Sequence, residues 1–257
     1  MNLHFTELGA GPPMVILHGL YGSGANWGQH ARRLAADYRV LLPDLRNHGR
    51  SPHAEPMTYP AMAQDVLALL DAQGIERTVL IGHSMGGKAA MALALSAPER
   101  VRALVVADIA PVDYGPSDEH EGIIAAMRAV PLAECRTRQE VDAALVDGGI
   151  DTLMVRQFLL TNLVREGDAF HWRIPLATLA AALPALGDFP EPDGLYIGPT
   201  LFVHGGRSDY VRPEYEPSIL QWFPQAQIET IDSAGHWLHV EKPDAFAAVL
   251  DDFLDEL

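Results

Sequence analysis

The chain has 257 residues, 48% of them hydrophobic and 20% charged, so a packed domain is expected and wholesale disorder is excluded. Lysine and arginine number 18 against 34 aspartates and glutamates, which gives a formal charge of −16. A surface this negative repels nucleic-acid phosphates and anionic membranes, so neither is an expected partner. The single cysteine, Cys135, excludes an internal disulfide and a cysteine-ligated metal cluster.

Short apolar runs alternate with helical patterns along most of the chain. Strands are predicted over residues 14–18, 40–42, 79–81, 101–107, 200–204 and 227–231. Helices are predicted over residues 61–73 and 86–96, and a last helix begins at Pro243. Several of the strands are apolar throughout, which is typical of a sheet covered on both faces. The alternation predicts an α/β fold with a mainly parallel sheet flanked by helices.

The alternation stops between Asp113 and Gly198, and no strand is predicted in this interval. Four stretches in this interval have helical patterns, namely residues 123–130, 139–146, 152–165 and 176–183, and a Pro- and Gly-rich return follows them. We therefore predict a core formed by residues 1–112 and 199–257. Residues 113–198 are predicted to form a helical cap, inserted after the strand that ends near Asp108.

The N-terminal residues 1–13 have neither a basic region nor an apolar stretch, so a secretory signal is not predicted. The longest apolar stretches are far shorter than the roughly 18 residues that a membrane-spanning helix needs. A cytoplasmic location without a membrane anchor is the resulting expectation.

The pattern Gly82-His83-Ser84-Met85-Gly86 follows an apolar strand and precedes an alanine-rich helix. In this order the serine lies on a tight turn, and Gly82 and Gly86 allow the strand and helix to approach each other closely. The helix N-terminus then directs free N–H groups towards a developing negative charge. Ser84 is therefore the candidate nucleophile.

A serine nucleophile needs a base, and His236 directly follows the last predicted strand, C-terminal to Ser84. Two carboxylates are candidates for the acid that orients this imidazole. Asp209 follows the strand after the cap, and Asp108 ends the strand next after the nucleophile strand. Either can hold the tautomer of the base, and the spacing does not decide between them.

An oxyanion hole needs two N–H donors that are already in position. Met85, the residue after the nucleophile, is predicted to supply one of them. The Gly-rich loop after the first long strand is predicted to supply the other, from Leu20 as first choice and Tyr21 as second. This loop matches neither dinucleotide nor P-loop spacing, so it is not predicted to bind a nucleotide.

A polar loop at residues 43–51 follows another strand. Asp44, Arg46 and Ser51 are expected to form a hydrogen-bonded turn that supports the site, and direct catalysis by His48 is not favoured. The aromatic residues Tyr114, Phe158, Phe170, Trp172 and Trp237 are candidates for an apolar acyl pocket, although packing of the cap against the core explains each of them equally well.

These motifs together resemble the α/β-hydrolase superfamily across essentially the whole chain. The more detailed match is to the bacterial YbfF-type esterases, and it rests on the segments 44–49, 108–112, 205–211 and 235–243. Such enzymes are small cytosolic carboxylesterases and acyl thioesterases with a helical cap. The resemblance implies Ser84 as nucleophile, His236 as base and the N–H groups of Leu20 and Met85 as oxyanion donors. It associates the acid with the position of Asp108, but this sequence also has Asp209, so both remain candidates.

The function predicted from these observations is hydrolysis of a small-molecule carboxylic ester, or an acyl thioester, through an acyl-enzyme at Ser84. Neither a cofactor nor a metal is expected, because no motif for either occurs in the sequence. The alternatives are a cofactor-free perhydrolase, a lactonase or a C–C bond hydrolase using the same three side chains. A non-hydrolytic ligand-binding protein on this fold is the alternative from another class.

Overall fold

The computed structural model describes residues 1–192 and 194–257. The strands in these residues are Phe5–Leu8 (β1), Pro13–Leu17 (β2), Arg39–Pro43 (β3), Thr78–His83 (β4), Val101–Ala107 (β5), Leu163–Glu166 (β6), Ala169–Trp172 (β7), Thr200–Gly205 (β8) and Ala226–Ile231 (β9). Seven of them form one sheet in the order β1-β3-β2-β4-β5-β8-β9. Only β1 runs antiparallel to its neighbour, so the predicted mainly parallel sheet is confirmed.

Helices cover both faces of this sheet. In the described residues they are Gly28–Leu34 (α1), Tyr59–Ala72 (α2), Met85–Ser96 (α3), Asp118–Ala129 (α4), Arg138–Asp147 (α5), Leu153–Leu160 (α6), Leu176–Gly187 (α7), Glu216–Trp222 (α8), Leu238–Glu241 (α9) and Pro243–Asp255 (α10). The apolar side chains of α1 and α10 form one buried cluster with Val79 and Ile81 of β4. Those of α2 and α3 form another cluster with Leu80. Alternate residues of β4 therefore enter two cores, which explains why the strand is apolar throughout.

Side-chain caps define the starts of α2 and α4. The Thr58 hydroxyl accepts a hydrogen bond from the Ala61 N–H group, and Pro60 occupies the first turn of α2. The Ser117 hydroxyl likewise accepts from the His120 N–H group at 3.2 Å. Because of this cap, α4 begins at Asp118, five residues before the predicted start, and the helix brings His120 into the site described below.

The interval between β5 and β8 contains α4 to α7, but the expectation that it holds no strands is wrong. A single helix was predicted over residues 152–165, whereas α6 ends at Leu160. Strands β6 and β7 follow it as an antiparallel hairpin that turns at Gly167, whose φ is +59°. Glycine adopts this left-handed conformation without strain, which allows the tight turn between the two strands. The division into a core and a cap at residues 112/113 and 198/199 stays a prediction.

None of the helices in residues 1–192 and 194–257 has the length and apolar character needed to cross a membrane. The longest, α2, has 14 residues, whereas a membrane span needs about 20.

Candidate active site

Ser84 lies at the sharp turn between β4 and α3. Its backbone has φ 54° and ψ −121°, an uncommon conformation for a residue other than glycine. The Ser84 N–H group donates to the Ala107 carbonyl at 3.0 Å and thereby fixes the turn against β5. A Cβ atom on Gly82 would lie 2.3 Å from the Gly86 carbonyl oxygen, so the turn requires glycine at position 82. The predicted strand–turn–helix arrangement around the serine is present.

The imidazole of His236 joins Ser84 to Asp108. Its Nε2 lies 3.0 Å from the Ser84 hydroxyl oxygen, and its Nδ1 lies 2.7 Å from Asp108 Oδ2. The loop between β9 and α9 carries His236, and the Nε2 of His83 donates to the backbone carbonyl of His236 at 2.8 Å. Ser84, His236 and Asp108, which are distant in sequence, therefore form a continuous chain of hydrogen bonds. A nucleophile, its base and the acid that orients the base require this arrangement.

Asp108 is completely buried, and each of its carboxylate oxygens is held. Oδ1 accepts the Gly205 N–H group at 2.9 Å, and Oδ2 accepts the Ser208 hydroxyl in addition to His236. These donors stabilise the ionised carboxylate beside the imidazole. Ser208 was not singled out from the sequence, although it belongs to the quoted segment 205–211.

Asp209, the other candidate acid, does not reach His236. Its carboxylate is exposed and lies 3.6 Å from the Arg212 guanidinium. Both ring nitrogens of His236 are already engaged, by Ser84 and by Asp108. The geometry therefore favours Asp108 over Asp209 as the acid that orients His236.

The two predicted oxyanion donors are placed beside Ser84. Met85 is the first residue of α3, where a backbone N–H group has no acceptor within its own helix. The N–H group of Tyr21, the second choice for the other donor, instead donates to His48 Nε2 at 3.1 Å. Among the hydrogen bonds of the described residues, none uses the Leu20 N–H group. Leu20 rather than Tyr21 is thus left free to bind an oxygen atom.

Two further histidines near Ser84 and His236 have lowered pKa values. Burial lowers the pKa of His83 well below its ordinary value, and the nearby imidazoles of His239 and His236 lower it further. Burial also lowers the pKa of His120, a residue of α4 that sequence reasoning missed. His120 lies outside the recognised sequence motifs, so nothing in the sequence indicates that it lines the site. Tyr210, also missed, packs its ring against His236 with 4.3 Å between the ring centroids.

Ser84 lies where two cavities meet. The larger has a volume of about 320 Å³ and the smaller about 180 Å³, and both are lined by Leu20, Ser84, His120 and Tyr210. We call them the large chamber and the small chamber.

The large chamber and the small chamber are lined by different parts of the site. The large chamber is lined by His236 together with apolar side chains, among them Phe158, Trp237 and Val240. The small chamber is lined by Met85 together with Ile109, Leu183 and Leu186, and by the aromatic Tyr59 and Tyr114. Of the aromatic residues considered for a pocket, Phe158, Trp237 and Tyr114 line a chamber. Phe170 and Trp172 do not line either one in the described structure.

The polar loop at residues 43–51 supports this region through hydrogen bonds. The Asp44 carboxylate accepts the N–H groups of Gly24 and Arg50, each at 2.8 Å, and the Ser51 hydroxyl donates to the Asp44 carbonyl. Arg46 pairs with the buried Asp65 at 2.6 Å. Within the described residues, no three His, Cys, Asp or Glu side chains converge in a metal-binding arrangement.

Comparison with known proteins gives one consistent family. The model of the alpha/beta hydrolase family matches residues 14–249. The sn-1-specific diacylglycerol lipase ABHD11 of Mus musculus is 45% identical over 95% of this chain and 81% of its own length. Esterase YbfF of Escherichia coli strain K12 is 43% identical over 95% of this chain and 93% of its own. A solved marine microorganism esterase is 39% identical, with a TM-score of 0.95 over 98% of this chain and 99% of its own.

Proposed function

The chain belongs to the alpha/beta hydrolase family and is a serine hydrolase of carboxylic esters, and we propose that Ser84, His236 and Asp108 carry out the reaction. The observation that carries this proposal is the row from the Ser84 hydroxyl through His236 to Asp108, with 3.0 Å and 2.7 Å between the bonded atoms. Both distances lie within hydrogen-bonding range, so a proton can pass from the serine to the imidazole as Ser84 attacks.

In the first half of the reaction, neutral His236 accepts the proton of Ser84 at Nε2 while the Ser84 oxygen bonds to the ester carbonyl carbon. The carbonyl oxygen becomes negative and accepts hydrogen bonds from the N–H groups of Leu20 and Met85. Each such donor contributes about 3 to 4 kcal/mol to lowering the barrier. Asp108 stays ionised, holds the proton on Nδ1 and stabilises the imidazolium.

The tetrahedral species then collapses: His236 gives its proton to the leaving oxygen, the bond between the carbonyl carbon and this oxygen breaks, and the alcohol departs. An acyl-enzyme at Ser84 remains. A water molecule then loses a proton to His236 Nε2 and attacks the acyl carbon. The second tetrahedral species expels Ser84, which regains the proton from His236. The carboxylic acid leaves and the enzyme returns to its starting protonation state.

The two chambers suggest how the substrate is oriented. Since His236 Nε2 must protonate the leaving oxygen, the alcohol part of the ester belongs on the side that His236 lines, in the large chamber. The acyl part then extends into the small chamber beside Met85, Ile109 and Leu183. We propose esters that combine a compact acyl group with a larger apolar alcohol as the preferred substrates.

The other activities considered are not favoured, because the three relatives described above, at 39 to 45% identity, are named as esterases or as a lipase. Hydrolysis of an acyl thioester uses the same steps. We propose it as a further activity, and a panel of ester and thioester substrates tests it. A cytoplasmic location and the lack of nucleic-acid and membrane partners stay predictions.

Pre-steady-state kinetics with p-nitrophenyl esters tests the proposed function. We expect a burst of p-nitrophenol equivalent to one molecule per active site, followed by slower turnover, wherever deacylation limits the rate. Ser84→Ala should lower the turnover number on the order of 10⁶-fold, by analogy with serine proteases. An undiminished rate in this variant would show that another group attacks the ester. Parallel acyl-CoA thioesters of matched acyl length measure the preference between oxygen and sulfur leaving groups.

A further inference from the structure

His48 is completely buried, and both of its ring nitrogens are engaged. Nδ1 lies 2.9 Å from the Arg46 carbonyl oxygen, and Nε2 lies 3.1 Å from the backbone nitrogen of Tyr21. A carbonyl only accepts and a backbone N–H group only donates, so Nδ1 carries the proton and Nε2 is the acceptor. The ring is therefore neutral and has a defined tautomer.

The residue that His48 holds has a strained backbone. Tyr21 has φ +64°, a left-handed conformation that is unusual for a bulky side chain. Its N–H group is bound by His48, and its carbonyl accepts a hydrogen bond from Asn162 Nδ2 at 2.8 Å. A strained residue persists only where its surroundings impose the conformation, and these two contacts fix both polar groups of Tyr21.

The N–H group that matters for the proposed reaction is that of the neighbouring residue, Leu20. Leu20 directly precedes Tyr21 and lines both chambers beside Ser84. We propose that His48 is a positioning residue, which accepts the Tyr21 N–H group and thereby holds the loop of residues 19–22 with the Leu20 N–H group directed at the substrate oxygen. This inference rests on the proposed function, because it assigns Leu20 to the oxyanion hole of the Ser84 reaction.

The surroundings of His48 keep its acceptor nitrogen available. Burial, together with the nearby imidazoles of His18 and His53, lowers the pKa of His48 to about 3, although the Arg46 carbonyl and Asp44 oppose the shift. Nε2 therefore stays unprotonated at neutral pH. His18 is arranged in the same way, since its Nε2 accepts the Leu45 N–H group at 2.9 Å. The loop after β2 and the loop after β3 are thus linked by two reciprocal hydrogen bonds, in which a histidine of each loop accepts from a backbone N–H group of the other.

Two substitutions of similar size separate the hydrogen bond from packing. In His48→Gln, a side-chain oxygen can accept the Tyr21 N–H group, whereas His48→Leu retains bulk and removes the acceptor. An oxyanion contact is made in the transition state, so its loss should lower kcat and leave KM nearly unchanged. We expect His48→Leu to lower kcat about 10²-fold and His48→Gln to retain kcat within about tenfold of the wild type.

Affinity for a trifluoromethyl ketone analogue of the ester gives a second readout that general destabilisation does not mimic. Its addition to Ser84 forms an oxyanion, so its Ki should rise in His48→Leu by about the same factor as kcat/KM falls. Phe253→Leu serves as the control, because this buried residue of α10 packs in the cluster on the other face of the sheet. It should lower stability without changing either quantity.

Equal kcat values in the two His48 variants and the wild type would overturn the inference, as would a loss confined to KM. If Ser84→Ala also retained ester cleavage, the proposed function itself would fail, whereas an inactive Ser84→Ala would limit the failure to His48. If His48→Leu does not fold, ¹⁵N NMR of the wild-type imidazoles still decides. We expect the His48 signal, assigned by its loss in His48→Gln, to show a protonated Nδ1 and an unprotonated Nε2, and the opposite tautomer would contradict the proposal.

Discussion

Ser84 and Asp108 leave neighbouring parallel strands at the same level and have nearly the same backbone φ angle. His83 of β4 pairs in register with Ala107 of β5, so the next residues emerge side by side at the carboxyl edge of the sheet. Their φ angles are 54° and 53°, both in the left-handed region. This pairing places the acid one strand away from the nucleophile and brings both side chains to His236.

The two candidate acids therefore predict opposite results for Asp108→Asn and Asp209→Asn. Asn at position 108 offers an amide in place of a carboxylate and no longer holds the imidazole in its working tautomer. By analogy with a serine protease, we expect kcat to fall on the order of 10⁴-fold. The exposed Asp209 contacts Arg212, and Asp209→Asn should leave kcat unchanged. Steady-state kinetics of the two single variants and the double variant measures this, and a large loss on changing Asp209 alone would refute the assignment.

The orientation of the substrate predicts a reciprocal effect of two cavity variants. Leu183→Ala enlarges the small chamber and should shift the preference towards longer acyl chains with a fixed alcohol. Phe158→Ala enlarges the large chamber and should shift the preference among alcohols with a fixed acyl group. Each variant is the control for the other, measured as kcat/KM over two ester series. If Phe158→Ala alone extends the accepted acyl chain, the proposed orientation is reversed.

The buried side chain of Lys88, on α3, leads us to expect that the free energy of unfolding depends on pH. The fully buried ammonium donates to the carbonyls of Val112, Gly187 and Asp188 at 2.7 to 2.9 Å. These carbonyls belong to the two chain segments that enter and leave the interval between β5 and β8. Lys88 thus ties both segments to the helix that follows the nucleophile.

Burial lowers the pKa of Lys88 to about 7, against the opposing charges of Asp188 and Asp113. The rings of Tyr59 and Tyr114, which face the ammonium, are uncharged at neutral pH. The unfolded chain, with an ordinary lysine pKa of about 10.4, binds the proton over a wider pH range. Between about pH 7 and pH 10 this group therefore makes the free energy of unfolding rise with pH, by up to about 1.4 kcal/mol per pH unit.

Urea unfolding at pH 7, 8 and 9 measures this slope. We expect the rise to be smaller in Lys88→Met than in the wild type, because the variant has no proton to release at this position. Lys242→Met is the matched control, since Lys242 is the only other lysine of the chain, and it should keep the wild-type slope. Identical slopes in all three proteins would show that Lys88 is not held as described.

The requirement for a neutral base predicts that ester cleavage increases with pH. His236 must be unprotonated to accept the proton of Ser84, so kcat/KM should rise from about pH 5 to pH 8. Burial holds the pKa of neighbouring His83 well below its ordinary value, which disfavours a positive charge on this ring beside His236. A steady fall in activity over that range would contradict the assignment of the base.

The parts of the site that follow single strands could be predicted from the sequence. Ser84 directly follows a strand with a clear apolar pattern, and His236 lies in the loop after the last predicted strand, so their place at the carboxyl edge of the sheet follows from the alternation of strands and helices. The choice between Asp108 and Asp209 could not be made, because both follow strands at that edge. Only the paths of the two loops in three dimensions decide which carboxylate reaches the imidazole.

The contacts that the sequence did not predict depend on distant pairing. Strands β1, β6 and β7 have only four residues each, too few for a distinct periodic pattern, and they are specified by their partners. Likewise, nothing local indicates that Tyr21 binds His48, or that Leu20 is consequently the free donor. His120, on α4, lines both chambers together with Ser84, and no sequence motif indicates this placement.

Mass spectrometry after reaction with a fluorophosphonate identifies the nucleophile directly. We expect a single covalent adduct on the tryptic peptide that contains Ser84. We expect no adduct in Ser84→Ala and a greatly reduced labelling rate in His236→Ala, because the serine then lacks its base. Rapid labelling of a different residue, or labelling of Ser84 at an unchanged rate without His236, would refute the roles of these two side chains.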